Sequence, residues 1–154
     1  MESDQQLLTG SGATIPETAP ASEGLPIPRH IWRVLVVEDV PSQQKLLVTF
    51  FKKAGHAVAA ADCGSAAIEL VRQRPFDVVL MDVQMPGMNG LDAMRAIREA
   101  EEGSDRHVAI VAVTAHALAG DAEQCLAAGA DAYLRKPIRL SELMELLNQL
   151  VGSE

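Results

Sequence analysis

Aromatic residues are scarce in this chain. One Trp, one Tyr and three Phe make up 3% of its 154 residues, too few to form the row of stacked rings that holds single-stranded nucleic acid. Positive charge is short as well: 13 Lys and Arg stand against 21 Asp and Glu, a formal net charge of −8. That balance argues against direct nucleic-acid binding, which needs clustered cations to displace counterions from phosphates, and against an anionic membrane surface as a partner. Cysteine is limited to Cys63 and Cys125, with no CxxC and no Cys/His spacing that would suit zinc. Both read as small buried or half-buried residues in a reducing cytoplasm. Long apolar runs are missing too. The most hydrophobic, from Val108 to Val113, is strand-sized, against about 20 residues needed to cross a bilayer. The acidic start Met1-Glu2-Ser3-Asp4 leads into no apolar segment, so it does not read as a secretory signal.

What is present divides into two regions. Residues 1–30 hold Pro16, Pro20, Pro26 and Pro28, no aromatic residue and no apolar period. Such a segment buries too little to offset its ordering entropy, so a disordered tail or linker is expected. With Glu2, Asp4, Glu17 and Glu23 against Arg29 it carries −3, which leaves −5 on residues 31–154. From Ile31 onward short apolar runs alternate with amphipathic stretches. Strands are expected at 31–37, 56–61, 77–81, 107–113 and 132–135. Helices are expected at 42–54, 65–73, 91–101, 120–128 and 141–150, with Gly55 and Gly129 as stops and Ser141 as an N-cap. Strands that are continuously apolar rather than alternating are covered on both faces, so the pattern gives an α/β fold with a doubly wound parallel sheet.

The polar residues fall at informative places. Glu38-Asp39, Asp82, Thr114 and Lys136 sit immediately after the first, third, fourth and fifth apolar runs. In an open α/β sheet, ligands bind outside the carboxyl ends of the strands, where the strand order reverses. An order of 2-1-3-4-5 would make the first and third strands neighbours at that point and gather three carboxylates, with a hydroxyl and an ammonium beside them. Clustered carboxylates raise one another's pKa unless a cation compensates. Hard oxygen donors suit Mg2+ rather than zinc. Acids, a divalent cation, a lysine and a hydroxyl together suit phosphoryl transfer, which is mostly positioning and charge neutralisation, and a carboxylate can itself be the nucleophile.

These segments resemble the receiver domain of two-component response regulators. The resemblance is carried by Val36-Val37-Glu38-Asp39, by Val79-Leu80-Met81-Asp82-Val83-Gln84-Met85-Pro86-Gly87-Met88-Asn89-Gly90, by Val113-Thr114-Ala115-His116, and by Tyr133-Leu134-Arg135-Lys136-Pro137. It runs from about Arg33 to Val151. It implies a flavodoxin-like (βα)5 fold and a phosphorelay module in which Asp82 takes a phosphoryl group from a phosphohistidine. Asp39 would bind Mg2+ directly, Glu38 largely through water, and Asp82 and the Gln84 backbone carbonyl would complete the metal site. Thr114 and Lys136 would contact the phosphoryl oxygens, Tyr133 would be the switch aromatic, and Gln84 and His116 would influence the lifetime of the acyl phosphate. The resemblance also implies that the Lys136-Pro137 bond is often cis. A histidine kinase or a histidine phosphotransfer protein is the implied partner, in the cytoplasm. The fourth helix, fifth strand and fifth helix form the implied output face, which allows a homodimer.

The sequence departs from the family pattern at Val40, where a short polar residue is common, and at Cys63, where Asn or Asp often caps the second helix. Pro41 can still open the first helix; the second cap is expected to be weaker. Two other functions compete. A Mg2+-dependent aspartyl phosphatase or phosphotransferase of small esters would generally want a second Asp where Gln84 stands, and a cap domain. A pseudo-receiver that is never phosphorylated sits poorly with five intact site residues. As a result, the chain's standing as an enzyme rests only on catalysis of its own phosphorylation and dephosphorylation. The Pro-rich tail and the wording Thr114-Ala115-His116-Ala117-Leu118 are similar to C-terminal receivers of hybrid sensor kinases. A free-standing regulator and a piece of a longer chain both stay open.

Overall fold

The structure, a computed structural model, describes residues 31–85, 87–115 and 120–151. The tail expected at 1–30 and the lifetime position His116 lie outside the described residues. Five strands, β1 (Arg33–Val37), β2 (Ala57–Ala61), β3 (Val78–Asp82), β4 (Ala109–Thr114) and β5 (Ala132–Arg135), alternate with five helices. The helices are α1 (Pro41–Lys53), α2 (Gly64–Gln73), α3 (Gly90–Glu101), α4 (Asp121–Ala127) and α5 (Leu140–Val151). All strand pairs are parallel, and the sheet order is β2-β1-β3-β4-β5, as expected.

Alternate residues along each strand feed two separate cores. Leu35, Val37, Val79, Met81, Ile110 and Ala112 pack against Ala67 and Ile68 of α2, Ala93, Met94 and Ile97 of α3, and Cys125 of α4. On the other face Val34, Val36, Val78, Leu80, Val111 and Leu134 pack against Leu47 and Phe51 of α1 and Leu143 and Leu147 of α5. This two-sided burial is why β3 and β4 are buried at every position and why the sequence showed runs rather than alternation. Below β1, Trp32 stacks on His56 with ring centroids 4.4 Å apart, and its N–H donates to His56 Nδ1 at 3.0 Å. Burial lowers the His56 pKa, which keeps the ring a neutral acceptor.

Several boundaries differ from expectation, each for a local reason. Ser141 is not the N-cap of the last helix. That helix begins at Leu140, because the Arg139 carbonyl already accepts the Leu143 N–H at 2.9 Å. The first and fourth strands start later than Ile31 and His107, since both of those residues lie exposed ahead of the ladder. Asp82 and Thr114 are the last residues of β3 and β4 rather than the first residues beyond them. The departures at Val40 and Cys63 act as anticipated: both stand at the N-cap, neither side chain caps its helix, and Pro41 occupies the first turn of α1.

Candidate functional site

The site lies at the carboxyl ends of β1 and β3, where the chain order reverses. Val37 pairs with Met81 across the two strands, so Glu38 and Asp82 follow side by side. The carboxylates of Glu38, Asp39 and Asp82 each bring one oxygen within 4.8 Å of the others. Glu38 and Asp82 are buried, at 3% and 2% exposure.

Each buried carboxylate has named donors. Glu38 Oε2 accepts the Val40 N–H at 3.1 Å, which gives the polar-free cap of α1 a substitute partner. Asp82 Oδ1 accepts the Gln84 N–H at 3.1 Å. Lys136 Nζ lies 3.3 Å from both Glu38 Oε1 and Asp82 Oδ2 and bridges them. The lysine is carried there by the β4–β5 pairing, with its own N–H on the Thr114 carbonyl at 2.8 Å, and it precedes a cis bond to Pro137. Burial, followed by the charge of Glu38, pushes the Asp82 carboxyl up to about 6, against the opposing pull of Lys136. One ammonium therefore leaves the three acids undercompensated. All-oxygen donors with that excess of negative charge fit a hard divalent cation such as Mg2+.

The remaining described candidates sit around this centre. Thr114 is buried at the end of β4 and exchanges hydrogen bonds with the Gln84 carboxamide. Tyr133 lies on β5 with 43% of its surface exposed, turned away from both cores. Two residues went unnoticed in the sequence. Gln43, on the first turn of α1, accepts from Lys136 Nζ at 3.2 Å. Gln44 donates to the Glu38 carbonyl at 2.9 Å and reaches the Ala61 carbonyl at 3.3 Å, tying β1 and β2 together at the rim. The only sequence signal was a pair of glutamines just after the acidic pair, without apolar spacing.

A glycine completes the scaffold. A Cβ on Gly90 would run into the Asp82 carbonyl oxygen and come within 2.8 Å of Val83 Cα. Its absence lets the start of α3 press directly on the end of β3, where the Gly90 N–H donates to the Val83 carbonyl at 3.0 Å. Asn89 caps α3 by accepting the Asp92 N–H at 2.9 Å. The turn before α3 is thus built around the strand end that carries Asp82.

The sequence model of one family, the response regulator receiver domain, matches residues 34–148. The chain belongs to that family. The sensor protein GacS of Pseudomonas syringae is 41% identical over 138 residues, which cover 89% of this chain and 15% of that protein. The chain thus spans about one seventh of the length of this curated relative. Among solved structures, the Mg2+-bound receiver domain of the sensor histidine kinase PA1611 from Pseudomonas aeruginosa is 35% identical with a TM-score of 0.72, over 80% of this chain and all of that one. A second is the co-crystal structure of the Saccharomyces cerevisiae phosphotransfer protein Ypd1 with the receiver domain of its downstream regulator Ssk1. It is 30% identical with a TM-score of 0.74, over 82% of this chain and 91% of that one.

Proposed function

We propose that this receiver domain accepts a phosphoryl group on Asp82 and changes its partner contacts in response. The observation that carries the reading is the cluster itself: a buried carboxylate at a strand end, held between a lysine and two further acids at the reversal point of the sheet. Glu38, Asp39, Asp82 and the Gln84 carbonyl would hold Mg2+, whose charge would neutralise the phosphoryl oxygens in transit. Asp82 attacks the phosphorus of a phosphohistidine; the new P–O bond forms as the P–N bond breaks, and the imidazole nitrogen leaves with the electron pair. Lys136 follows the charge from the carboxylates to a phosphoryl oxygen, and the Thr114 hydroxyl donates to another. Tyr133, exposed beside this path, is the aromatic that turns when Thr114 moves. Gln84 borders the acyl phosphate, and His116 and Gln84 influence its lifetime.

The donor is a histidine kinase or a histidine phosphotransfer protein, as the Ypd1–Ssk1 complex supports for a relative. Likeness to the sensor histidine kinase GacS and to a hybrid signal transduction histidine kinase of Dictyostelium discoideum supports a place within a phosphorelay kinase of the hybrid kind. Cytoplasmic placement is supported by two free thiols, and among the described residues no helix is long and apolar enough to cross a membrane. A homodimer through α4, β5 and α5 is supported by opposite charges on one groove, with Asp121, Glu123 and Glu142 near Arg135 and Arg139. Titration with beryllofluoride and Mg2+, followed by amide NMR, tests the phosphoacceptor reading. Resonances of Gln84, Thr114 and Lys136 should shift in the wild type and stay fixed in Asp82→Asn or with a chelator. Equal shifts in Asp82→Asn would remove Asp82 from the role.

A further inference from the structure

Among the described residues, the carboxamide of Gln84 is held at two points. Its Oε1 accepts the Ala115 N–H at 3.1 Å, and its Nε2 donates to Thr114 Oγ1 at 3.1 Å. The Thr114 hydroxyl in turn reaches back to Oε1 at 3.4 Å. Chemistry fixes this orientation, because a backbone N–H can only donate and the atom facing Ala115 must be the oxygen. The backbone N–H of the same residue donates to Asp82 Oδ1. One residue therefore ties the acceptor carboxylate on β3 to the end of β4 and the first residue beyond it.

We propose that Gln84 is a positioning residue that latches Thr114 and Ala115 in their resting arrangement and so sets how readily the site takes up a phosphoryl group. The inference rests on the phosphoacceptor reading of Asp82. Asp82 pairs with Val113 across the ladder, so Thr114 and Ala115 are the next two residues on the neighbouring strand. A phosphoryl group on Asp82 presents anionic oxygens, which attract the hydroxyl and the amide more strongly than a neutral carboxamide does. Turning these donors to the phosphoryl group requires both Gln84 contacts to open. Gln84 is exposed, so water competes for each bond and its net worth lies at the low end of the usual range. Two such bonds set a latch worth about fivefold in the resting-to-occupied equilibrium.

Two variants of the full chain test this. Gln84→Met keeps the length and removes both polar atoms; Gln84→Asn keeps the amide one methylene too short to span both partners. Both should half-saturate with beryllofluoride and Mg2+ at about fivefold lower concentration than the wild type. Their Ala115 amide and Thr114 methyl resonances should already lie part-way toward the occupied positions before any ligand is added. In the resting wild type, a through-hydrogen-bond coupling from the Ala115 nitrogen to Gln84 Cδ reports the latch without phosphoryl chemistry. Equal half-saturation with unmoved resonances in both variants overturns the latch alone. A wild type that binds no beryllofluoride overturns the phosphoacceptor reading and the latch with it.

Discussion

Asp82 is more expensive to ionise in the folded chain than in the unfolded one, and that cost has a measurable sign. Its carboxyl is pushed up from 3.8 to about 6, first by burial and then by Glu38. The folded state therefore binds this proton more tightly, so stability without metal falls as pH rises from about 3.8 to about 6 and is level above that. Asp82→Asn removes the penalty while leaving an oxygen for Lys136. Urea denaturation in chelator should find wild type and variant equally stable near pH 4, and the variant more stable by about 3 kcal/mol at pH 7. Mg2+ should narrow that gap, because an ion that binds the folded wild type stabilises it by mass action. A variant less stable than wild type at pH 7 would mean that Lys136 outweighs burial. At this scale much was legible, since Glu38, Asp39, Asp82, Thr114 and Lys136 each interrupt or end an apolar run. Gln43 was not: its partner Lys136 lies 93 residues away, and an exposed helical glutamine looks like any other.

Between elements, the end of the sheet away from the site is fastened by a half-buried arginine on α3. Arg98 donates to the Gly129 and Val108 carbonyls at 2.9 and 2.8 Å, to Glu101 at 2.8 Å and to Asp131 at 2.8 Å. Asp131 also accepts the Ile110 N–H at 2.8 Å, and Glu101 accepts the Val108 N–H at 2.7 Å. This network pins the turn after α4 to the start of β4. Gly129 is part of it: with φ of +118°, its missing Cβ leaves room for the Arg98 side chain, whose Cγ would otherwise lie 2.6 Å away. Asp131→Ala leaves both the guanidinium and the Ile110 N–H short of a partner and should cost about 2 kcal/mol in thermal or urea unfolding. A loss within a few tenths would show that the network is only surface decoration. This network was not legible beforehand, because charged residues near helix and strand ends look solvated when read singly. The boundary missed at Ser141 has a similar origin, in the Leu143-to-Arg139 backbone bond that side-chain type does not reveal.

Over the whole molecule, the strand order and the two-sided cores follow from the alternation of apolar runs with amphipathic helices, and that alternation was readable from Arg33 to Val151. The charge balance reads differently once folded. Three of the acids behind the net −8 meet at one edge of the sheet with a single lysine between them, which is a place for a cation and a phosphoryl group. What the sequence left closed was the resting geometry, in which Lys136 bridges Glu38 and Asp82 and Gln84 holds Thr114. Both arrangements depend on side chains meeting across strands. The most direct test of the central claim is to locate a phosphoryl group on the full chain. Incubation with acetyl phosphate and Mg2+, borohydride reduction of the acyl phosphate and peptide mass mapping should find one modified residue, Asp82, reduced to homoserine. The signal should vanish in Asp82→Asn. Modification at another residue, or an unmodified wild type under conditions that label a known receiver domain, would contradict the account.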